Sequence, residues 1–141
     1  MKKSYKQESI RWFTQASDEF KDADDLRERG RFYLALFHFQ QAAEKALKAY
    51  LLLKTESVQV FFTHSLDELI QMAVESDREF QKVVAAKKLD QYYIPTRYPN
   101  GLPGGVPSRY FDDPKEAEQA MRLAQDLIEL VEKKLGESGS E

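Results

Sequence analysis

Four of the five prolines (Pro95, Pro99, Pro103 and Pro107) and three of the six glycines (Gly101, Gly104 and Gly105) fall between residues 95 and 107. Proline has no amide hydrogen and its ring clashes with the preceding helical turn, so regular helices must lie on either side of this stretch rather than across it. Before it, Gly30 is the only glycine, and it stands between two long amphipathic patterns. The first 94 residues therefore read as helices joined by short connections. The best strand candidate, Val58, Val60, Phe61 and Phe62, is short and has no second run to pair with, and reads as an approach to the next helix.

The spacing predicts a first helix from about Tyr5 to Arg29, with Phe13, Ala16, Phe20 and Ala23 on one stripe and Trp12 and Leu26 beside it. A second helix, Arg31 to Lys54, repeats apolar residues 4-3-4-3-4-3 along Phe32, Leu36, Phe39, Ala43, Ala46, Tyr50 and Leu53. Tyr33, Ala35, Phe37, Ala42, Leu47 and Leu51 flank that line, so the apolar arc is broad enough to need two packing partners, and a homodimer is expected on that ground. Ser65-Leu-Asp-Glu68 has capping-box spacing and opens a third helix through Leu66, Leu69, Ile70 and Ala73. Ser76-Asp-Arg-Glu79 has the same spacing and opens a fourth, which must stop before Pro95. A fifth starts at Asp112 or Asp113 with Pro114 as its first helical residue and runs to Gly136, leaving 137–141 as a frayed tail. The expectation is an all-α, up-and-down antiparallel bundle of about five helices forming one domain over residues 1–141.

The chain has 21 basic and 24 acidic residues, a net charge of -3, so any polyanion site must be local. Without cysteine there is no disulfide, thiol chemistry or cysteine-ligated zinc, and two histidines are too few for most histidine-rich metal sites. No Walker-type lysine follows the glycines of the 101–105 stretch, and no Glu-x-x-His pair suits a di-iron bundle. No metal or cofactor is therefore expected. With no apolar run long enough to cross a bilayer, a membrane role is not expected and the cytoplasm is the expected compartment.

The 95–112 connection is the one long loop, and long loops in compact domains are usually functional or disordered. Proline and tyrosine enrichment from Tyr92 to Phe111 favours order. From Lys82 to Tyr110 there are five bases and one acid, whereas residues 112–141 carry nine acids and four bases. Arg97-Tyr98 and Arg109-Tyr110 place two Arg-Tyr pairs on this basic loop, a combination suited to holding a phosphate and stacking a base. The structural alternative has the tyrosines closing the bundle end and the arginines pairing with acids of the fifth helix. On the second helix, His38, Gln41, Glu44, Lys45 and Lys48 lie opposite the core stripe, which reads as a solvated face carrying a Glu44–Lys48 pair. Gln40 falls inside the apolar arc and is expected to be buried and hydrogen-bonded in a structural role. His64, just ahead of a helix, reads as a local hydrogen-bonding residue, with an approach to Arg97 in space and a catalytic part as the alternative.

Phe39-Gln-Gln-Ala-Ala-Glu-Lys-Ala-Leu-Lys-Ala-Tyr50, then His64-Ser-Leu-Asp-Glu-Leu-Ile70, then Arg97-Tyr-Pro99 before the last helix, resemble the HEPN family of small all-helical domains. The resemblance implies a homodimerising bundle, nucleotide or RNA ligands and frequent pairing with a minimal nucleotidyltransferase, in some cases as a toxin–antitoxin pair. RNA-cleaving members carry an arginine followed four to six residues later by a histidine; here neither histidine lies after Arg97 or Arg109. Arg97 carries over as a ligand contact, and no catalytic residue is assigned. The expected function is a nucleotide- or RNA-binding module contacting its ligand through Arg97, Tyr98, Arg109 and Tyr110 with help from Lys45 and Lys48. The alternatives are a metal-independent, toxin-like ribonuclease with a non-standard catalytic group, and a ligand-free partner scaffold.

Overall fold

A computed structural model describes residues 3–139 of the chain. Helix α1 spans Lys3–Glu28 and α2 spans Phe32–Thr55, joined by a turn in which Gly30 adopts φ 78°, the left-handed conformation glycine tolerates best. A 3-10 turn, Val58–Phe62, follows where the apolar run had suggested an approach to the next helix. Helix α3, Leu66–Ser76, starts as expected: Ser65 Oγ accepts the amide of Glu68. All described regular structure is helical.

The fourth segment departs from expectation in two ways. Ser76 is the last residue of α3 rather than a cap, and the cap is Asp77, whose side chain accepts the amide of Glu79. Residues Arg78–Tyr92 wind as 3-10 helix, broken at Val83 (φ -114°, ψ 18°), instead of forming an α-helix. Long 3-10 runs are uncommon, and here Phe80, Val83, Ala86, Leu89 and Tyr92 are the buried residues, a near-threefold repeat that presents one narrow apolar edge.

The proline-rich connection is structured: Pro99–Gly101 forms a 3-10 turn and Pro107–Tyr110 a short helix, α4. Gly101 lies so close to the start of this loop that an added Cβ would stand 3.2 Å from Pro95 Cα. Helix α5, Pro114–Gly139, opens with Pro114 in the first turn while Asp113 Oδ1 accepts the amide of Lys115. It continues through Gly136 to Gly139, because glycine lowers helix propensity by only about 1 kcal/mol and does not by itself stop a helix. The expected frayed tail is thus helical to residue 139, and residues 140–141 lie outside the described residues.

Helix α2 is central, packing against α1, α3, α4, α5 and both longer 3-10 segments. Its broad apolar arc is covered within one chain, with Leu36, Phe39, Leu47, Tyr50, Leu51 and Leu52 almost fully buried. The arc therefore carries no argument for a homodimer. No helix among the described residues is long and apolar enough to cross a membrane.

Candidate functional site

Polar side chains of α2 join two histidine–carboxylate pairs, one reaching His64 and one reaching α1. Residues 92–98 leave the 3-10 segment in a tight turn, closed by bonds from the Arg97 and Tyr98 amides to Ile94 O. That turn folds Arg97 back so that its Nε donates to Tyr93 O at 2.8 Å. Its guanidinium lies 4.6 Å from the ring centre of Phe37, 4.7 Å from Tyr93 and 5.0 Å from Tyr98. Three rings around one guanidinium fix its position while the residue stays exposed. Tyr98 is 48% exposed.

Tyr93 joins this cluster to His64. The two rings stack 5.7 Å apart at 15°, and His64 Nδ1 meets Glu44 Oε2 at 3.0 Å. Glu44 is buried, and its carboxylate also accepts from Lys48 Nζ at 2.9 Å and Gln40 Nε2 at 3.3 Å. Because a carboxylate paired with a lysine is an acceptor, Nδ1 of His64 is the donating nitrogen. Gln40 is fully buried as expected and reaches His64 O and Asp90 Oδ1. Asp90 in turn receives the amides of Leu66 (2.9 Å) and Asp67 (3.1 Å), fixing the start of α3 and with it His64.

A second histidine–carboxylate pair flanks Phe37 on the α1 side. His38 Nδ1 meets Glu19 Oε2 at 2.7 Å, Lys45 Nζ reaches Glu19 Oε1 at 2.5 Å, and the His38 ring stands edge-on to Phe37. Burial pushes the Glu19 carboxyl up, but the bonds from His38 and Lys45 and the lysine charge outweigh it and hold the group below the usual carboxylate range. Lys45 also borders an open cavity with Arg11, Trp12 and Gln15, where Trp12 stacks on Phe61 at 4.6 Å.

Of the six residues expected from the sequence, Arg97 and Tyr98 are in contact. Arg109 and Tyr110 are exposed on α4, where Tyr110 packs edge-on to Phe111; no described ring contact or hydrogen bond joins them to Arg97. Among the described residues no ion pair joins Arg97 or Arg109 to Glu116, Glu118, Asp126, Glu129 or Glu132 of α5; it is Tyr92 that reaches this helix, donating to Glu116 at 2.7 Å. Lys45 is engaged on the α1 side. The expected solvated face is corrected at Glu44 and Lys48: both are almost fully buried, so Lys48 holds Glu44 and has no surface left for a ligand. Phe37, Glu44 and Asp90 are site residues the sequence does not single out; the aromatic 92–98 stretch points to Tyr93, and the alternative approach of His64 to Arg97 is met through the Tyr93 ring they share. Among the described residues no group of three His, Asp or Glu side chains is placed to hold a metal ion.

Comparison with known proteins gives one consistent relationship. A family model described as "HEPN domain" matches residues 10–134. The crystal structure of TT1696 from Thermus thermophilus superposes with a TM-score of 0.80 at 38% identity, covering 89% of this chain and 97% of that one. The crystal structure of an archaeal HEPN homologue superposes with a TM-score of 0.72 at 25% identity, covering 90% and 97% of the two chains. No curated protein matches.

Proposed function

The chain belongs to the HEPN domain family, and from that premise we propose that the surface around Arg97 binds a nucleotide or a short single-stranded RNA. The observation that carries this reading is the Arg97 guanidinium held against Phe37, Tyr93 and Tyr98 while exposed to solvent. A guanidinium stacked on its faces keeps its N–H edge for phosphate oxygens, and the half-exposed Tyr98 ring offers a base a surface to stack on. Arg109 and Tyr110 on α4 would extend the contact along a longer strand, and Lys45 would do so on the α1 side. The test is calorimetric titration of ATP, GTP and a short single-stranded RNA, with Arg97→Ala as the paired control. A charge-assisted contact is worth about 1.5–3 kcal/mol, so the variant should bind about tenfold or more weakly. Unchanged binding by Arg97→Ala would move the site elsewhere.

The ribonuclease reading is favoured by one observation, an imidazole stacked on the Tyr93 ring that also carries Arg97, and so within reach of a ligand on that arginine. Total RNA incubated under chelator decides it: persistent cleavage, lost in His64→Gln, would make the protein an enzyme. For partners we propose a homodimer and a minimal nucleotidyltransferase, in the cytoplasm, supported by family membership alone. Sedimentation at micromolar concentration and co-purification with a tagged nucleotidyltransferase test them; a clean monomer removes the first and an empty eluate the second.

A further inference from the structure

We propose that His64 is a second, proton-dependent phosphate contact of the Arg97 surface, so that a phosphodiester ligand is held more tightly at pH 6 than at pH 8. The proposal rests on the reading that Arg97 binds phosphate, and adds to it a residue and a regulating variable.

Three observations carry it. The Glu44 carboxylate holds Nδ1 of His64 at 3.0 Å, which commits the proton to that nitrogen and leaves Nε2, on the opposite edge of the ring, for a ligand. The His64 side chain is 55% exposed although its carboxylate partner is buried, so the ring stands anchored at one edge and open at the other. The imidazole stacks on the same Tyr93 ring that carries Arg97, which keeps the imidazole centre within about 10 Å of the guanidinium carbon by the two ring-centre distances. Phosphates one to two nucleotides apart on a single strand can span such a separation.

The charges facing His64 define what its proton changes. From α2 come Glu44 and Lys48, a buried pair whose charges cancel. From the 3-10 segment comes Asp90, whose oxygens are engaged by the Leu66 and Asp67 amides, Ser65 Oγ and Gln40. From α3 comes Glu68, which borders the same open cavity of about 440 Å³ as His64, Ser65 and Tyr93. From the loop come Tyr93 and, across its ring, Arg97. With a neutral imidazole the cavity presents Glu68 and Asp90 and disfavours an anion. With an imidazolium, Nε2 becomes a second charged donor on the other side of Tyr93 from Arg97, and the bond from Nδ1 to Glu44 is kept.

The experiment titrates a six-nucleotide RNA with hydroxyl ends, whose internal phosphodiesters do not change charge between pH 6 and 8, into the full chain at both pH values. Binding is expected to be about tenfold tighter at pH 6, one charge-assisted contact, and proton uptake should appear as a dependence of the binding heat on buffer ionisation enthalpy. His64→Gln is expected to lose both effects while retaining binding at pH 8 that Arg97→Ala weakens. His38→Gln should behave as wild type. NMR titration of the two histidines, with and without RNA, gives the same answer without a variant: RNA should raise the midpoint of His64 and leave that of His38. Arg97-dependent binding with equal affinity at both pH values, or a pH dependence that survives His64→Gln or vanishes in His38→Gln, overturns the proposal and leaves the Arg97 reading standing. No binding at either pH overturns both.

Discussion

Glu44 and Lys48 are a carboxylate and a lysine taken almost entirely out of water, 3% and 2% exposed, one helical turn apart. Removing one member of such a pair leaves the other charge buried without compensation, whereas replacing both with apolar groups of similar size is often neutral. Lys48→Met is therefore expected to lower the unfolding free energy by about 3 kcal/mol, read as a shift of the urea midpoint at unchanged slope. The double variant Glu44→Leu with Lys48→Met should recover most of that loss, and equal destabilisation in both would show that the pair's charge balance is not the cause. At this scale the sequence was informative where burial follows from a residue's own helix. Gln40 lies inside the apolar arc of α2 and is buried accordingly. Glu44 and Lys48 lie outside that arc, and their burial depends on chain that arrives much later, His64 among it, which helical periodicity does not register.

Helix ends show the same division between local and distant causes. Ser65 and Asp113 cap α3 and α5 through bonds to amides two or three residues on, and such caps are legible because donor and acceptor are close in sequence. The stronger anchor of α3 comes from 24 residues away, as Asp90 takes the Leu66 and Asp67 amides. Asp90→Ala should cost about 2 kcal/mol, the upper range for loss of a cap, and hydrogen exchange should accelerate first at the opening turn of α3; uniform acceleration across the bundle would argue against a local anchor. The end of α2 is less well provided for. Glu56 sits at φ 51° while its amide closes the helix on Leu52 O, a left-handed position that suits glycine better. Glu56→Gly is expected to raise stability by about 0.5 kcal/mol, since relief of the backbone exceeds the added freedom of the unfolded chain, and a fall in melting temperature would contradict it. The 3-10 winding of Arg78–Tyr92 was not legible, because a threefold apolar repeat over so few turns is close to the α-helical one and only packing against α3 and α5 separates them.

Across the whole molecule, the end of α5 is tied to the start of the 3-10 segment by charge rather than by apolar contact alone. Lys134 Nζ lies 2.8 Å from Asp77 and 2.7 Å from Glu79, and Lys133 adds a bond to Glu79 at 3.0 Å. The bond from Lys134 is the main reason the Glu79 carboxyl is pulled down to about 2, and it lowers Asp77 as well, while Lys134 is raised in return. A carboxylate depressed in the folded state contributes stability that is fully present above its unfolded value and lost as pH falls through its folded one. A raised lysine contributes stability present below its unfolded value and lost only when pH rises beyond it. The cluster should therefore leave stability level from about pH 5 to pH 10 and weaken it steadily from pH 5 towards pH 2. Glu19, depressed between α1 and α2, contributes to the same acid limb through independent partners, so the two clusters are separable by mutation. Lys134→Met is expected to be less stable than wild type at pH 7, and the difference should shrink as pH approaches 2, where the wild-type carboxylates take up protons and release the lysine. Urea unfolding at half-unit steps from pH 2 to pH 8 gives both curves. Parallel curves across that range would mean that Lys134 acts through packing of its methylenes alone, whereas convergence in acid shows that it acts through its carboxylate partners, Asp77 and Glu79 across the junction and Glu137 within α5.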